Sequence, residues 1–221
     1  MKQNQDYKNE ALKALSGSWP HSLVATIIYL AILSFLAMPS YMISFGITFP
    51  SYISEGSGII FILIVYPMAL GFTNSFRLLY ETGDNRLTRN AFSLGFDNWI
   101  HNVLGMLLTS VFIFLWLLLF LIPGIIKCFS YAMTPYILIE HPEMSVNKAI
   151  DESIYLMDGH KFDYFYLGLS FIGWIILSIM SFGIGFIWLI PYMQTTMAAF
   201  YADLKKEKNR ETAVLEAERV L

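Results

Sequence analysis

The sequence predicts an all-α membrane protein: six transmembrane helices paired as three hairpins, each hairpin preceded by a cytoplasmic interfacial amphipathic helix. Three observations carry that reading. Of 221 residues, 56% are apolar and only 14% charged, against about 25% charged in ordinary soluble domains. The apolar residues fall in blocks of about 20 with few or no charges, the length that crosses a hydrocarbon core about 30 Å thick. The charges between the blocks, finally, are distributed to one side.

Taken in order, the chain opens with "NEALKALSGSWPHSL", where apolar residues recur every three or four positions before Gly17 and Trp19. This is the pattern of a helix lying on a membrane surface, with a glycine where the chain turns upright and an aromatic at headgroup level. The first span, about 21 to 45, is longer than the apolar core of a cleavable secretory signal, and no small-x-small cleavage site follows it, so it is expected to remain in the mature protein. The loop "FPSYISEGSG" leads to a second span, about 58 to 80, which begins near Gly58 and contains Pro67.

A second amphipathic stretch, "TRNAFSLGFDNWIHNV", introduces the third span, about 101 to 122. The apolar run then continues to Ile139. As one straight helix it would measure about 55 Å, too long for the membrane core even when tilted. It is therefore expected to fold back at Pro123-Gly124, where proline lacks the N–H a helix interior needs and glycine accepts turn dihedrals. The fourth span, about 124 to 140, carries Pro135. The third amphipathic stretch, "NKAIDESIYLMDGHKFDYF", precedes the fifth span, about 163 to 181, and "SFGIGF" separates it from the sixth, about 185 to 203, which carries Pro191. Residues 1–204 thus read as a single integral membrane domain and 205–221 as a charged cytoplasmic tail.

The basic residues fix the orientation. Every Lys and Arg except Lys127 lies in the N-terminal segment, the second and fourth loops or the tail, so these are expected on the cytoplasmic side with both termini. The acids divide the same way, leaving Glu55 alone on the outer face.

Lys127 is the first candidate site residue, since no acid lies within ten residues of it on either side. Three readings stand. Its stem lies in apolar surroundings while the ammonium snorkels to the outer interface; or it pairs with Glu55, bridging the first two hairpins; or it grips an anionic headgroup, in which case Lys127→Met abolishes any phenotype at unchanged abundance. The second candidate is the space among three proline-bearing helices. If the three repeated units are equivalent, Pro67, Pro135 and Pro191 lie around a pseudo-threefold axis. Each proline frees a carbonyl that lipid does not tolerate unless protein, water or a ligand satisfies it, and a cavity between those helices would be the binding site.

The remaining polar residues of the spans, Asn74, Gln194, Thr195, Thr196, Ser170 and Ser178, read as interhelical hydrogen bonders. Gly71 and Ser75 fit close helix packing, and small residues at that spacing also permit a homo-oligomer or a membrane protein partner. Arg77, Arg86 and Arg89 read as orientation charges touching anionic lipid heads. The four histidines have no close ligand spacing and the single cysteine forms no CxxC pair, so no metal or cofactor is expected. The acids Asp151, Glu152, Asp158 and Asp163 read as the wet face of a helix, and supply the only basis for a membrane enzyme. There is no phosphate-binding loop, no nucleophile elbow and no nucleic-acid motif.

Three stretches, "LWLLLFLIPGIIKCFSYAMTPYIL", "AIDESIYLMDGHKFDYFYLGLSFIGWIIL" and "GIGFIWLIPYMQTTMAAFYADL", resemble the bacterial integral membrane family catalogued as domain of unknown function 975. The resemblance covers residues 115 to 204, with "ALKALSGSW" compatible. More distantly, the chain is similar to the membrane domain of some glycerophosphodiester phosphodiesterases, whose soluble catalytic barrel is absent here. The resemblance implies a bacterial cytoplasmic-membrane protein and draws attention to Pro123-Gly124, Lys127 and the Pro191-Tyr192 pair; it implies no activity. The expected function is therefore non-enzymatic: binding or moving a membrane lipid or other amphipathic small molecule. The alternative is an accessory or regulatory subunit of a membrane complex.

Overall fold

The computed structural model describes the backbone of residues 2–44 and 51–220 and the side chains of residues 2–37 and 62–214. Every regular element among them is a helix: α1 (Asn4–Leu15), α2 (Trp19–Ser44), α3 (Ser51–Thr82), α4 (Leu87–Phe96), α5 (Trp99–Leu119), α6 (Leu121–Ser130), α7 (Thr134–Glu140), α8 (Val146–Leu156), α9 (Lys161–Leu169), α10 (Ile172–Met180) and α11 (Phe186–Val220). Five segments, Trp19–Ala37, Ile62–Thr82, Trp99–Leu119, Leu121–Glu140 and Lys161–Met180, are long and apolar enough to cross a membrane. The expected sixth span opens α11, which runs on without a break through the charged tail.

Two of these segments are not single helices. The fourth is divided at Tyr131–Met133, where i to i−3 bonds (Ala132 N–H to the Phe129 carbonyl, 3.2 Å; Thr134 N–H to the Tyr131 carbonyl, 3.1 Å) replace the helical ladder. The fifth is divided at Ser170–Phe171 in the same manner, with the Phe171 N–H on the Gly168 carbonyl at 3.1 Å. The first break lies one turn before Pro135, which frees the Tyr131 carbonyl, whereas the second has no proline beside it.

The fold-back expected at Pro123-Gly124 instead occurs at Phe120, the one extended residue between α5 and α6 (φ −154°, ψ 131°). Pro123 is the third residue of α6, inside the first turn, where a missing N–H costs nothing because those donors have no helical partner. Gly124 is helical and serves contact rather than turning, since a Cβ there would stand 2.6 Å from Leu117 Cδ2. Between α10 and α11 the turn falls where "SFGIGF" places it, with Phe182 and Gly183 at φ 55° and 86°.

The helices assort into three units, each of a short helix followed by two longer paths: α1–α3, α4–α7 and α8–α11. Their contacts are cyclic. Each short helix packs on the final path of the preceding unit, α4 on α3, α8 on α7 and α1 on α11. Each also touches the first path of that unit, as α4 does α2, α8 does α5 and α1 does α9. The final path of each unit meets the first of the next: α3 with α5, α6 with α9, α11 with α2. A repeated heterologous contact that closes after three steps is a ring, so the repetition seen in the sequence is also one of packing. The units are not identical in detail. Gly17 and Gly159 turn the chain at φ 85° and 84°, whereas Gly95 lies within α4.

The interior is mainly apolar but admits polar groups, and the exterior carries large apolar side chains. Asn74, Arg77, Thr109, Thr195 and Thr196 are buried, while Phe114, Leu118, Trp174, Met180 and many other large apolar side chains are exposed. That distribution suits a lipid-facing exterior. Buried hydroxyls mostly return to their own helix: Thr109 to the Gly105 carbonyl, Ser178 to Trp174, Thr195 to Pro191 and Thr196 to Tyr192, all within 2.8 Å. The interhelical role expected of Thr195, Thr196 and Ser178 is thus replaced by local back-bonding, which serves a hydroxyl wherever its partner helix lies too far to reach.

Candidate functional site

The three proline-bearing paths meet through side-chain contacts. Asn74 Nδ2 donates to the Pro135 carbonyl at 2.8 Å, joining α3 to α7. Tyr136 stacks on Tyr201 with centroids 4.7 Å apart, joining α7 to α11, and α11 packs on α3. The space between them holds Tyr136, Phe200, Tyr201 and Ala198, all buried. Two of the three proline-freed carbonyls are also spoken for. The Leu63 carbonyl, which Pro67 frees, accepts the Trp99 indole N–H at 2.8 Å. The Tyr131 carbonyl, four residues before Pro135, takes the Thr134 N–H. Pro135 is not internal to a helix but second in α7, a position that requires no N–H. Two of the three proline-freed carbonyls therefore need no ligand, which removes part of the physical reason for a binding site among these helices.

Lys127 lies in the last turn of α6, with its ammonium 5.1 Å from the centroid of Trp116 near the end of α5. The amine thus leans back toward the α5–α6 turn over an aromatic face, an attraction of about 0.5–1 kcal/mol at a half-exposed site. The side chain of Glu55 lies outside the described residues. Gln194 is half-buried on α11. Arg77, expected at the lipid heads, is turned inward: its Nε donates to Asn74 Oδ1 at 2.9 Å and its Nη1 to Glu81 at 2.7 Å. The long stem places the guanidinium where two acceptors satisfy it, which outweighs exposure to lipid heads. Asp151, Asp158 and Asp163 are exposed, with Asp163 3.3 Å from His160; no group of three metal-ligating side chains forms among the described residues.

Tyr192 is the sequence candidate that does line a cavity. A groove of about 410 Å³ runs along α10 and the start of α11, walled by Trp174, Leu177, Trp188, Leu189 and Tyr192 and closed on the other side by Leu12 of α1 and Trp19 of α2. Pro191 stands beside it in sequence without lining it. α10, which begins after the break at Ser170–Phe171, supplies one wall of the groove. Ser178 and Gly185 supply the small surfaces: a Cβ on Gly185 would stand 2.7 Å from Ser178 Oγ. Three indoles and a phenol around an apolar trough form a surface for flat or chain-like apolar groups, with N–H and O–H edges for a polar end.

Behind the groove is a residue that sequence reasoning missed. Lys8 of α1 is only 8% exposed. Its Nζ donates to the Ser170 carbonyl at 2.8 Å and sits 4.4 Å from the Phe171 ring centroid, so it caps the acceptor that the α9–α10 break exposes. Phe171 in turn meets Tyr192 edge-on at 5.3 Å, linking Lys8 to the groove wall. Burial pushes the Lys8 ammonium below the ordinary lysine value. The parallel break at Tyr131–Met133 is served by α8, where Ser153 Oγ donates to the Ser130 carbonyl at 2.8 Å and accepts the Met133 N–H at 3.1 Å. The only sequence signal for Lys8 was its position on the apolar side of α1, one residue after buried Tyr7 and three before buried Ala11.

Tyrosine–carboxylate pairs tie the short helices and final paths together: Tyr7 to Asp203 at 2.7 Å, Tyr80 to Glu10 at 2.8 Å and Tyr201 to Glu140 at 2.6 Å. Burial, then the Asp203 hydrogen bond, pushes the Tyr7 phenol far up, keeping it a donor. Burial alone would raise the Glu10 carboxyl, but hydrogen bonds from Lys2 and Tyr80 hold it below the usual glutamate range.

Residues 117–208 match the model of a family described as protein of unknown function, DUF975, which bears out the resemblance drawn from residues 115 to 204. The more distant similarity to glycerophosphodiester phosphodiesterases gains no support. No curated protein and no solved structure matches the chain.

Proposed function

From a chain whose residues 117–208 match a family without an assigned activity, we propose a multi-pass membrane protein that binds or moves a lipid or other amphipathic small molecule and catalyses no reaction. In this reading the five apolar segments and the first half of α11 cross the bilayer six times as three hairpins. Both termini face the cytoplasm of the cell, because every basic residue but Lys127 then lies on that side. The amphipathic helices α1, α4 and α8 sit at the inner interface.

The observation that carries the function is the tryptophan-lined groove between α2, α10 and α11. It opens on an exterior already suited to lipid, so an apolar molecule reaches it sideways, from the bilayer, without crossing water. Trp174 and Trp188 are about half exposed at 56% and 50%, which leaves their faces available to a ligand.

The test is mass spectrometry of the protein extracted directly into native lipid discs, comparing it with a Trp174→Ala/Trp188→Ala double variant. The expected result is a lipid or apolar small molecule enriched over the bulk membrane and lost in the variant. Bulk-like lipid together with a stoichiometric protein partner would overturn the reading and make the chain an accessory subunit.

A further inference from the structure

A second cavity lies where α1, the end of α3 and α11 converge, an open cleft of about 620 Å³. Its charges are unevenly committed. Glu10 accepts from Lys2 Nζ at 2.8 and 3.0 Å and from Tyr80. Glu81 accepts from Arg77, and Lys205 donates to Glu140. That leaves Lys13 of α1 and Lys206 of α11, both lining the cleft and both exposed, with no carboxylate partner among the described residues. Neighbouring Lys208 differs, because it is held by Glu211 at 3.0 Å and lies over the Tyr155 ring.

The geometry points to an anion site for a phosphoryl group in this cleft, held by the Lys13 and Lys206 ammonium groups with the Asn209 amide beside them. Both acids in the wall are neutralised from outside the cleft, by Lys2 and by Arg77, so they do not cancel the two free lysines. Two ammoniums on opposing helices suit a group carrying more than one negative charge. Ala14 and Ala202, the small residues of the lining, leave the room that a tetrahedral group and its bridging oxygens need. The site is independent of the aromatic groove, which lies against Leu12 and Trp19. The phosphoryl group is supplied either by an anionic lipid head of the inner leaflet or by a soluble phosphate compound.

The experiment uses the full chain in detergent and two probes. Retention of phosphatidylglycerol over phosphatidylcholine is scored after extraction from mixed vesicles, and the shift of the thermal midpoint is scored on adding inorganic pyrophosphate at constant ionic strength. The Lys13→Gln/Lys206→Gln variant is compared with Lys148→Gln/Lys161→Gln, which removes the same charge from positions outside both the cleft and the groove. At about 1 kcal/mol per lysine, the first pair is expected to weaken binding by about 30-fold and the second not measurably. Selective loss of phosphatidylglycerol assigns the site to a lipid head; selective loss of the pyrophosphate shift assigns it to a soluble ligand. Equal effects of the two variant pairs, or no response of the unaltered protein to either probe, would overturn the site. Ala14→Leu, which fills the cleft without changing charge, is expected to reproduce the loss and guards against a folding defect in the lysine variant. Since the groove variants leave Lys13 and Lys206 in place, failure here leaves the aromatic groove reading standing, and the reverse.

Discussion

The α3–α4 seam and the α9–α10 arm are both built with glycines, and the glycines do opposite things. At the seam, Gly71 and Gly95 bring two backbones together: a Cβ on Gly71 would stand 1.9 Å from the Ala91 carbonyl oxygen, and one on Gly95 the same distance from that of Pro67. In the arm, Gly168 and Gly173 face open space, and a methyl group on either would meet nothing within 4 Å. Burial follows, at 56% for the Ile62–Thr82 window and 17% for Lys161–Met180. The seam is a fixed joint, whereas the arm is held at a few points and presents most of its surface outward. An open groove beside the arm and a close backbone joint at the seam are two consequences of that difference in packing.

The largest effect is expected from breaking the seam. Gly71→Ala must push α3 and α4 apart, because the contacting atoms are backbone and cannot rotate away. The expected loss is about 2–3 kcal/mol, read as a drop in the unfolding midpoint in detergent or as loss of folded protein on expression. Gly168→Ala should do the reverse, raising stability by about 0.5–1 kcal/mol as glycine's backbone entropy is removed from an open helix face. Equal outcomes at the two positions would show that the seam is not a backbone contact.

An intermediate effect is expected from the point that holds the arm. Lys8→Met removes the donor to the Ser170 carbonyl and leaves a part-buried acceptor without that partner, a change of about 1–2 kcal/mol. Because the contact links α1 to the break rather than to a packed face, the loss should be local. Hydrogen exchange should quicken from about residue 168 to 175 while the α3–α4 amides keep their protection. A uniform increase over both regions would mean that α1 supports the whole ring and not the arm alone.

Why the seam was partly legible and the arm was not is a matter of what hydropathy records. Runs of about 20 apolar residues mark a segment that can cross a membrane, and the i, i+4 pair Gly71 and Ser75 marked α3 as a close-packing helix. The break at Ser170–Phe171 left no mark, because a 3₁₀ turn keeps most of the backbone bonded and needs neither Gly nor Pro at its centre; the one at Tyr131–Met133 was marked only by Pro135 a turn later. Breaker residues located the α10–α11 turn but misled at Pro123 and Gly124, since a proline in the first helical turn is compatible with continuation and the glycine is in close contact with Leu117. Trp99 was legible as an interfacial aromatic but not as the donor to the Leu63 carbonyl, since that pairing joins positions far apart in the chain. The cyclic order of the units was visible in the sequence as three similar stretches before apolar pairs; the identity of the partner helix was not, as nothing local tells α1 to pack on α11.

The smallest effect belongs to Lys127, and it separates two lysines with similar aromatic neighbours. Lys8 and Lys127 both stand beside an aromatic ring, at 4.4 and 5.1 Å from its centroid. Lys8, however, is buried and bonded to a carbonyl, whereas Lys127 is half-exposed on α6 and lines none of the cavities described above. Lys127→Met should therefore lower stability by only about 0.5–1 kcal/mol, the value of an exposed cation–π contact. Lipid retained in native discs should stay unchanged, since neither the groove nor the cleft contains this side chain. Loss of a specific lipid from Lys127→Met, with Trp174 and Trp188 intact, would return the lysine to the role of headgroup ligand. Lipid recognition would then lie on α6 as well as on the arm, and the division between a fixed centre and a binding periphery would have to include a second peripheral site.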